Sequence, residues 1–299
     1  MLNQRPIFIV GFQHGGTNLV LNLIRSHPEV GDANGELQEL FIGKPEEAWR
    51  TRLPKLINYL PIMLNERQHV FHLSSWKKRK AFKHSSQKQI DKILYQQKLN
   101  AKDPSQNLYK DKNEFYTDEE IISLRPVTKL LNGLMYLTDS FAMMYPDATF
   151  IALIRNGLAV CEGAHRRGND ISQIASYYEQ GCQKIIRDSQ ALPNYHVFRY
   201  EDLMTKPVET IDQIYKVADL DLAKLTGIRL EVKPTMNKRG EHFMPIGKNE
   251  NDLIWYDLKN VTNHLIPDVN SHQIKRLNAE QKTIIMNKCR SSLEYFNYL

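Results

Sequence analysis

The chain has 299 residues, of which 41% are hydrophobic and 25% are charged. These are the proportions of an ordinary globular protein, and they exclude a low-complexity chain. The length permits one large α/β domain or two small ones. The formal net charge of +6 suits a small polyanionic ligand as well as nucleic acid, so charge alone does not identify the partner.

The cysteines and the apolar segments limit the class further. Three cysteines lie far apart, without the spacing of metal ligands, and we expect them to be reduced. No uninterrupted apolar segment is long enough to span a bilayer. The first predicted strand starts too close to residue 1 to leave room for a signal peptide. We therefore expect a cytoplasmic protein without a transmembrane segment.

Residues 5–28 predict a strand, a turn and a helix. A short β-branched apolar run ends at Gly11, a turn rich in glycine follows, and leucines then recur at helical spacing. Such a turn aims backbone N–H groups at one spot, beside the positive end of a helix dipole. The segment therefore predicts a site for an anionic group such as a phosphate, although a plain strand-to-helix turn fits the glycines about equally well.

The spacing from Gly11 to Gly16 is that of the nucleotide P-loop. Thr17 and Asn18, however, stand where a P-loop has its lysine and its Mg²⁺-binding serine or threonine. A nucleoside triphosphate site should not lose both, so this pattern disfavours a kinase.

The turn resembles the 5′-phosphosulfate loop of the sulfotransferases. In that family a run of the type (Arg/Lys)-(Ser/Thr)-Gly-Thr-(Thr/Asn) binds the 5′ end of 3′-phosphoadenosine 5′-phosphosulfate (PAPS). The matching run here is His14-Gly15-Gly16-Thr17-Asn18. The resemblance implies that these five residues bind the donor, with the backbone N–H groups from Gly15 to Asn18 aimed at the sulfuryl group.

His14 stands where the family usually has Lys or Arg to stabilise the leaving phosphate. A histidine can donate an N–H, but it carries a full charge only below a pKa near neutrality. The resemblance implies a catalytic role for His14, and we then expect activity to fall as the pH rises through the pKa of the bound side chain.

Acidic residues follow in a turn-rich segment at residues 29–41. In sulfotransferases that act on carbohydrate or protein hydroxyls, a glutamate shortly after the loop and helix often serves as the general base. The resemblance gives Glu36 that role, with Glu39 as the second choice. Judged on the residues alone, both are more readily explained as solvated carboxylates.

Residues from about 45 to 120 read as helices broken by polar loops. The basic run from Lys77 to Lys80 follows Trp76, and such a mixture forms either a platform for sugars or nucleic acid or one solvated face of a helix. In the sulfotransferases this interval varies and shapes the acceptor site.

Residues 148–154 form a nearly continuous apolar run, as in a strand covered on both faces of a parallel sheet. Arg155 follows it, at the end of the strand where open α/β sheets bind ligands. The segment resembles the 3′-phosphate motif of the sulfotransferases. Arg155 matches the phosphate-binding arginine, while Gly163 falls where a serine hydroxyl is usual. The Gly163 N–H, or the side chains of Arg166 or Arg167, could compensate.

Residues 196–203 resemble the strand-to-helix step that follows this motif in many sulfotransferases. Three strands alternating with helices imply parallel βαβ crossovers. The basic loop at residues 233–240 lies where the family often closes a loop over the nucleotide, but it lacks the Arg-Lys-Gly pattern of the cytosolic small-molecule branch. The resemblance therefore gives only weak support for Lys238 and Arg239 as donor-binding residues.

We expect an α/β fold of three layers, with a mostly parallel sheet flanked by helices as in the P-loop-like sulfotransferases. Residues 1–299 should form a single domain, with a helical and basic insertion at about 45–120. The resemblance implies a metal-independent enzyme that transfers a sulfuryl group from PAPS to a hydroxyl or amine of a carbohydrate, glycolipid, peptide or small metabolite. The alternatives are a non-catalytic protein that binds the product adenosine 3′,5′-bisphosphate (PAP), with nucleic acid a less favoured partner, and a P-loop kinase.

Overall fold

The computed structural model describes residues 3–44, 47–66, 81–99, 102, 116–231, 235–236, 242–243, 253–261, 265 and 269–299. Its centre is a five-stranded parallel sheet in the order β2-β3-β1-β4-β5. The strands are β1 (Ile7–Gly11), β2 (Val30–Glu36), β3 (Arg125–Leu131), β4 (Thr149–Ile154) and β5 (Tyr195–Arg199).

The central strands are covered on both faces. Every residue of β1, β3 and β4 is buried. Phe8 and Val10 of β1 belong to one apolar cluster, whereas Ile7 and Ile9 belong to a second cluster on the opposite face. This alternation is the period of two expected of a strand. The predicted α/β fold with a parallel sheet between helical layers is confirmed.

The helices form the two outer layers. They are α1 (Thr17–Arg25), α2 (Leu37–Ile42), α3 (Trp49–Glu66), α4 (His84–Leu99), α5 (Asp118–Ser123), α6 (Thr138–Met144), α7 (Gly157–His165), α8 (Ile171–Ala191), α9 (Tyr200–Thr205), α10 (Pro207–Val217), α11 (Val269–Ile274) and α12 (Ala279–Tyr295). One face of the sheet packs against α1, α9 and α10, and the other packs mainly against α6, α7, α8 and α12.

Short elements complete the described chain. Segments of 3₁₀-helix cover Asn132–Leu137 and Leu222–Lys224. Two antiparallel pairs lie outside the main sheet. They are β6 (Ile228–Glu231) with β9 (Leu253–Tyr256), and β7 (Thr235–Met236) with β8 (His242–Phe243).

The sheet has two strands more than the three that the sequence predicted. Strand β2 has the sequence VGDANGE, and its glycines and polar residues are not typical of a strand. It nevertheless pairs with β3, with a register shift between Asp32 and Glu36. Strand β3 contains Lys129 within a fully buried run. The predicted strands at residues 7–11, 148–154 and 196–199 are confirmed as β1, β4 and β5.

The structure also describes the cysteines and the helices for which the sequence made predictions. Cys161, Cys182 and Cys289 are buried free thiols, as expected. Within the described ranges, no helix is both long and apolar enough to cross a membrane. Helices α3 and α4 and the start of α5 lie in the interval at about 45–120, while the basic run from Lys77 to Lys80 lies outside the described residues.

Candidate active site

The loop between β1 and α1 contains two residues in the left-handed region, His14 at φ 65° and Gly16 at φ 90°. A Cβ atom added to Gly16 would lie 2.3 Å from the Tyr200 ring, so no side chain fits there. Gly15 N–H donates to the Phe12 oxygen at 3.0 Å, which closes the turn. The sequence therefore folds here into a tight turn that leads directly into α1.

The start of α1 presents unpaired donors. No side chain caps this helix. Among the described residues, no protein group accepts a hydrogen bond from the N–H groups of Gly16, Thr17 or Asn18. These N–H groups and the helix dipole can hold an anion. The predicted set from Gly15 to Asn18 is corrected in one respect, because the Gly15 N–H is already used within the turn.

Arg155, at the end of β4, reaches this loop. Its side chain is buried, with 7% exposed. Nη1 donates to the backbone oxygen of His14 at 3.0 Å, and Nε donates to Oδ1 of Asn270 in α11 at 2.8 Å. Nη2 donates to Oε1 of Gln273, also in α11. Strand β4 pairs directly with β1, so the sheet brings the two predicted motifs into contact.

Two residues at the start of α9 hold Arg155 in place. The Tyr200 ring lies 4.6 Å from the Arg155 guanidinium carbon, in a cation–π contact. The Glu201 carboxylate accepts a hydrogen bond from Asn156 N–H at 2.9 Å and from Tyr298 Oη–H at 2.6 Å. Burial lowers the pKa of Arg155, and Tyr200 and Glu201 oppose that shift. Arginine remains charged in proteins, so a permanent cation lies beside the loop.

The position of Gly163 explains how the missing serine could be replaced. Gly163 lies inside α7, where its N–H donates to the preceding helical turn and is not available to a ligand. Arg166 pairs with Glu162 at 3.7 Å, and Arg167 Nη1 donates to the Gly163 oxygen. A Cβ atom built on Gly163 would lie 3.5 Å from Gln273 Nε2. An amide N–H donor thus occupies the space beside Gly163, next to Arg155.

Lys129 of β3 is a charged residue of this site that the sequence analysis missed. Its ammonium donates to Asn18 Oδ1 at 2.5 Å and to Glu36 Oε1 at 3.2 Å. Its side chain has 5% of its area exposed, and burial lowers its pKa while Glu36 opposes the shift. A lysine inside an otherwise apolar run was the available signal, because lysine is almost never fully buried without a partner.

The two candidate bases have different surroundings. Glu36 is the last residue of β2 and contacts the Lys129 ammonium, which itself contacts the loop residue Asn18. Glu39 faces Lys44 instead, at 3.8 Å. Burial raises the pKa of Glu39, with Lys44 opposing it and Glu36 adding to it. Glu36 is therefore the carboxylate connected to the anion-binding loop.

Without a bound anion, His14 is neutral at pH 7. Burial, together with the positive charges of Arg167, Arg166 and Arg155, lowers its pKa to about 4. A neutral imidazole donates from one nitrogen and accepts at the other. His14 can thus donate a hydrogen bond to an anion, but it brings a positive charge only if a bound anion raises its pKa.

A cavity of about 690 Å³ opens on the other side of His14. Its wall combines the loop after β1 with α7 and the first half of α8, and it includes Phe12, Gln13, Asn132, Val160, Ile174 and Tyr177. Asp170 caps α8 by accepting from Gln173 N–H at 2.8 Å, and both residues also line the cavity. The anion-binding loop thus contacts the ion pair of Lys129 and Glu36 through Asn18, and it lines this cavity of polar and apolar side chains through His14.

Some expected site residues have no described position. Lys238 and Arg239 lie outside the described residues. Within the part of the chain that the structure describes, no group of three or more His, Cys, Asp or Glu side chains could hold a metal ion.

Comparison with known proteins identifies the family. The model of the Sulfotransferase family matches residues 6–224, which is well over half of the chain. The chain therefore belongs to the sulfotransferase family. No curated protein matches the sequence.

Solved structures similar to the chain include bacterial sulfotransferases. The sulfotransferase domain of the Synechococcus PCC 7002 olefin synthase is 13% identical, with 97% of this chain and 95% of that chain covered and a TM-score of 0.47. A sulfotransferase from Mycobacterium tuberculosis H37Rv is 15% identical, with coverages of 92% and 77% and a TM-score of 0.41. One from Alicyclobacillus acidocaldarius is 13% identical, with coverages of 93% and 99% and a TM-score of 0.39.

Proposed function

We propose that this sulfotransferase uses PAPS as its donor and transfers the sulfuryl group to a hydroxyl or amine of a carbohydrate, glycolipid, peptide or small-metabolite acceptor. One observation carries the proposal. The guanidinium of Arg155 is hydrogen-bonded to the loop that presents free N–H groups at the start of α1. Two anion-binding groups on adjacent strands fit a nucleotide that is anionic at both its 5′ and its 3′ end.

In this proposal the 5′-phosphosulfate lies on the N–H groups of Gly16, Thr17 and Asn18. The 3′-phosphate lies at Arg155, whose fork of N–H donors suits phosphate oxygens. Gln273 supplies an amide donor beside Gly163, where the family usually has a serine hydroxyl. The phosphate would then replace the amide oxygens of Asn270 and Gln273 as acceptors for the Arg155 donors.

Lys129 supplies the positive charge that the loop lacks at His14. In the proposed step the acceptor oxygen bonds to sulfur while the bond from sulfur to the bridging oxygen breaks. The electron pair leaves on the 5′-phosphate of PAP, and the acceptor proton passes to Glu36. A preorganised ammonium near the loop stabilises the negative charge that develops. His14 donates an N–H to the bridging oxygen, and no step in this scheme uses a metal.

The pH dependence of activity should show whether His14 is cationic when the donor is bound. The fall in activity with rising pH that the sequence predicts requires the bound donor to raise the His14 pKa from about 4 to near neutrality. A flat profile from pH 6 to 9 would contradict a cationic His14 and would leave the charge to Lys129.

A thermal-shift titration with PAP tests the donor site first. A ligand held at a hundred times its Kd adds about 2.7 kcal/mol to the free energy of unfolding, which is easily measured. PAP without metal should stabilise the wild type, and Arg155→Ala should respond far less than the control Arg290→Ala on α12. Stabilisation only by Mg-ATP or Mg-GTP would indicate a kinase. PAP binding without turnover of PAPS would indicate a non-catalytic binding protein.

A further inference from the structure

Helix α3 carries a row of exposed apolar side chains that belongs neither to the core nor to the donor site. We propose that this apolar stripe binds the surface of an anionic lipid bilayer, with α3 lying parallel to the plane of the membrane. The inference concerns a surface apart from the proposed donor site, and it does not depend on the proposed sulfotransferase reaction.

The stripe consists of five large side chains that each have between 40% and 64% of their area exposed. They are Trp49, Leu53, Ile57, Leu60 and Leu64. Because they recur every three or four residues, they lie on one side of the helix. Single exposed apolar residues are ordinary on a protein surface, but a contiguous row of this kind marks a protein or membrane interaction site.

The opposite face of α3 holds the helix on the protein. Tyr59 and Ile62 are buried in the apolar cluster that covers one face of the sheet, and Leu56 and Met63 pack against that cluster. Helix α3 thus has two apolar faces, and the described residues of the chain cover the face that contains Tyr59 and Ile62.

Two prolines extend the uncharged surface of the stripe. Pro54 and Pro61 lie inside α3 and are exposed. At about 100° of rotation per residue, both fall within about 60° of Ile57 around the helix axis. Arg50 is the one charged residue among the exposed residues of α3, and its long side chain can reach lipid phosphates from the first turn. Such a face can enter the boundary between headgroups and acyl chains.

The lysines beside the stripe favour an anionic surface. Helix α4 lies along one edge of α3, since Gln89 Nε2 donates to the Asn58 oxygen at 3.0 Å. Lys88 and Lys92 are exposed on α4, and Lys83 is exposed just before it. Basic residues near a membrane surface are attracted by the negative charge of anionic lipids. The apolar stripe and its basic border therefore match the two parts of an anionic bilayer surface.

The acidic residues near the two helices are buried or paired. Glu66 and Asp91 are 8% and 2% exposed. Glu47, just before α3, pairs with Lys55 at 2.8 Å. The exposed charges of α3 and α4 are therefore positive. A second copy of this chain would present the same positive charges, so an anionic bilayer suits the stripe better than a dimer contact does.

Vesicle sedimentation with the full chain tests the stripe. Vesicles of phosphatidylcholine and phosphatidylserine in equal parts should bind the wild type about tenfold more tightly than vesicles of phosphatidylcholine alone. Ile57→Gln combined with Leu60→Gln should weaken this binding by about tenfold, because less apolar surface enters the bilayer. Met143→Gln combined with Val208→Gln changes two exposed apolar residues on other helices and should bind like the wild type. No binding by the wild type, or equal binding by both variants, would overturn the inference.

Charge and fluorescence measurements test which surface faces the bilayer. Lys88→Gln combined with Lys92→Gln should weaken binding to the mixed vesicles by about tenfold. Lys206→Gln combined with Lys216→Gln removes the same charge from exposed positions next to and on α10, across the sheet from α3, and should change it less than about twofold. Binding should shift tryptophan emission to shorter wavelength, and Trp49→Phe should reduce that shift. Equal losses in the two lysine pairs, or an unchanged shift in Trp49→Phe, would show that another surface binds.

The oligomeric state distinguishes a bilayer from a second copy of the chain. Without lipid, the wild type should be a monomer in size-exclusion chromatography with light scattering. A wild-type dimer that Ile57→Gln combined with Leu60→Gln converts to a monomer would assign the stripe to a second copy and would overturn the bilayer as its partner. Because both positions are exposed, this variant should keep the circular dichroism and the unfolding temperature of the wild type.

Discussion

Arg155 Nη1 donates a hydrogen bond of 3.0 Å to the backbone oxygen of His14, which joins the end of β4 to the loop after β1. The same guanidinium stacks on Tyr200, whose ring also packs against Gly16. Arg155 and the anion-binding loop thus share contacts, so a substitution in one of them should change the position of the other.

Arg155 should contribute to PAP binding mainly through the 3′-phosphate. Hydrogen bonds to charged groups contribute about 1.5–3 kcal/mol each, so Arg155→Ala should weaken PAP binding by roughly tenfold to a hundredfold or more. The loss should be much smaller for AMP, which lacks that phosphate. Isothermal titration of both ligands measures the difference. Equal losses for PAP and AMP would mean that Arg155 acts only by supporting the loop.

The hydroxyl introduced by Gly163→Ser should be able to replace the amide donor of Gln273. Gln273→Ala should weaken PAP binding by about tenfold or more, since one hydrogen bond to a charged group is lost. Adding Gly163→Ser should recover much of that affinity, because the nearest atoms to a Cβ there lie at 3.5 to 3.9 Å and leave room for it. Calorimetry on the single and double variants measures this. Tighter PAP binding by Gln273→Ala would show instead that Gln273 blocks the site.

Lys129 should matter more for turnover than for PAP binding. Lys129→Met should lower kcat by about 10² to 10³, the loss typical of removing one preorganised donor from a developing charge. The Kd for PAP should change by less than about fivefold. Lys129→Arg should retain more activity than Lys129→Met, because it keeps the charge beside Glu36. Unaltered kcat in Lys129→Met, in protein shown by circular dichroism to be folded, would exclude the proposed role.

Gly16 should not tolerate even a methyl group. Its φ of 90° disfavours any other residue, and a Cβ would lie 2.3 Å from the Tyr200 ring. Gly16→Ala should therefore displace the ring or the loop and weaken PAP binding at least tenfold. Gly168→Ala is a matched control, since it also has a positive φ of 93° but no atom within 4 Å of its Cβ position. Both variants should lose some stability because of the positive φ, and only Gly16→Ala should lose affinity for PAP.

Without added ligand, the stability of the protein should depend on pH through His14. Its pKa is about 4 in the folded protein against an ordinary value of 6.5, so between these values the unfolded chain binds more protons than the folded one. The free energy of unfolding should therefore fall as the pH is lowered from about 6.5 to about 4. Urea unfolding at pH 7 and pH 4.5 should show a smaller fall for His14→Gln than for the wild type. Equal falls would contradict the lowered pKa.

The loop after β1 and Arg155 could be predicted from the sequence because the residues around them determine the local backbone conformation. Gly16 and the apolar run of β4 predict their own backbone conformations, and Arg155 follows the strand end directly. The partners of Arg155 could not be predicted in this way. Asn270 and Gln273 lie on a short helix far along the chain, and only the packing of α11 near α7 brings them close.

Lys129 was missed for a different reason. Its neighbours in β3 are apolar or small, and its position opposite Ile9 in β1 depends on the strand order, which no local pattern reveals. Strand β2 was read as turns because of its glycines and polar residues. The assignment of the whole chain to one domain, and the roles of Lys238 and Arg239, stay predictions.

The strand order also has a consequence for folding. His14 and Arg155 are 141 residues apart in the chain, and Asn18 and Lys129 are 111 residues apart, yet each pair meets across neighbouring parallel strands. Parallel pairing over such separations is slow, because loop-closure entropy is lost before the contacts form. The anion site therefore cannot assemble in a partly folded chain. Recovery of PAP binding after dilution from denaturant would report formation of the whole central sheet, later than the recovery of helical circular dichroism.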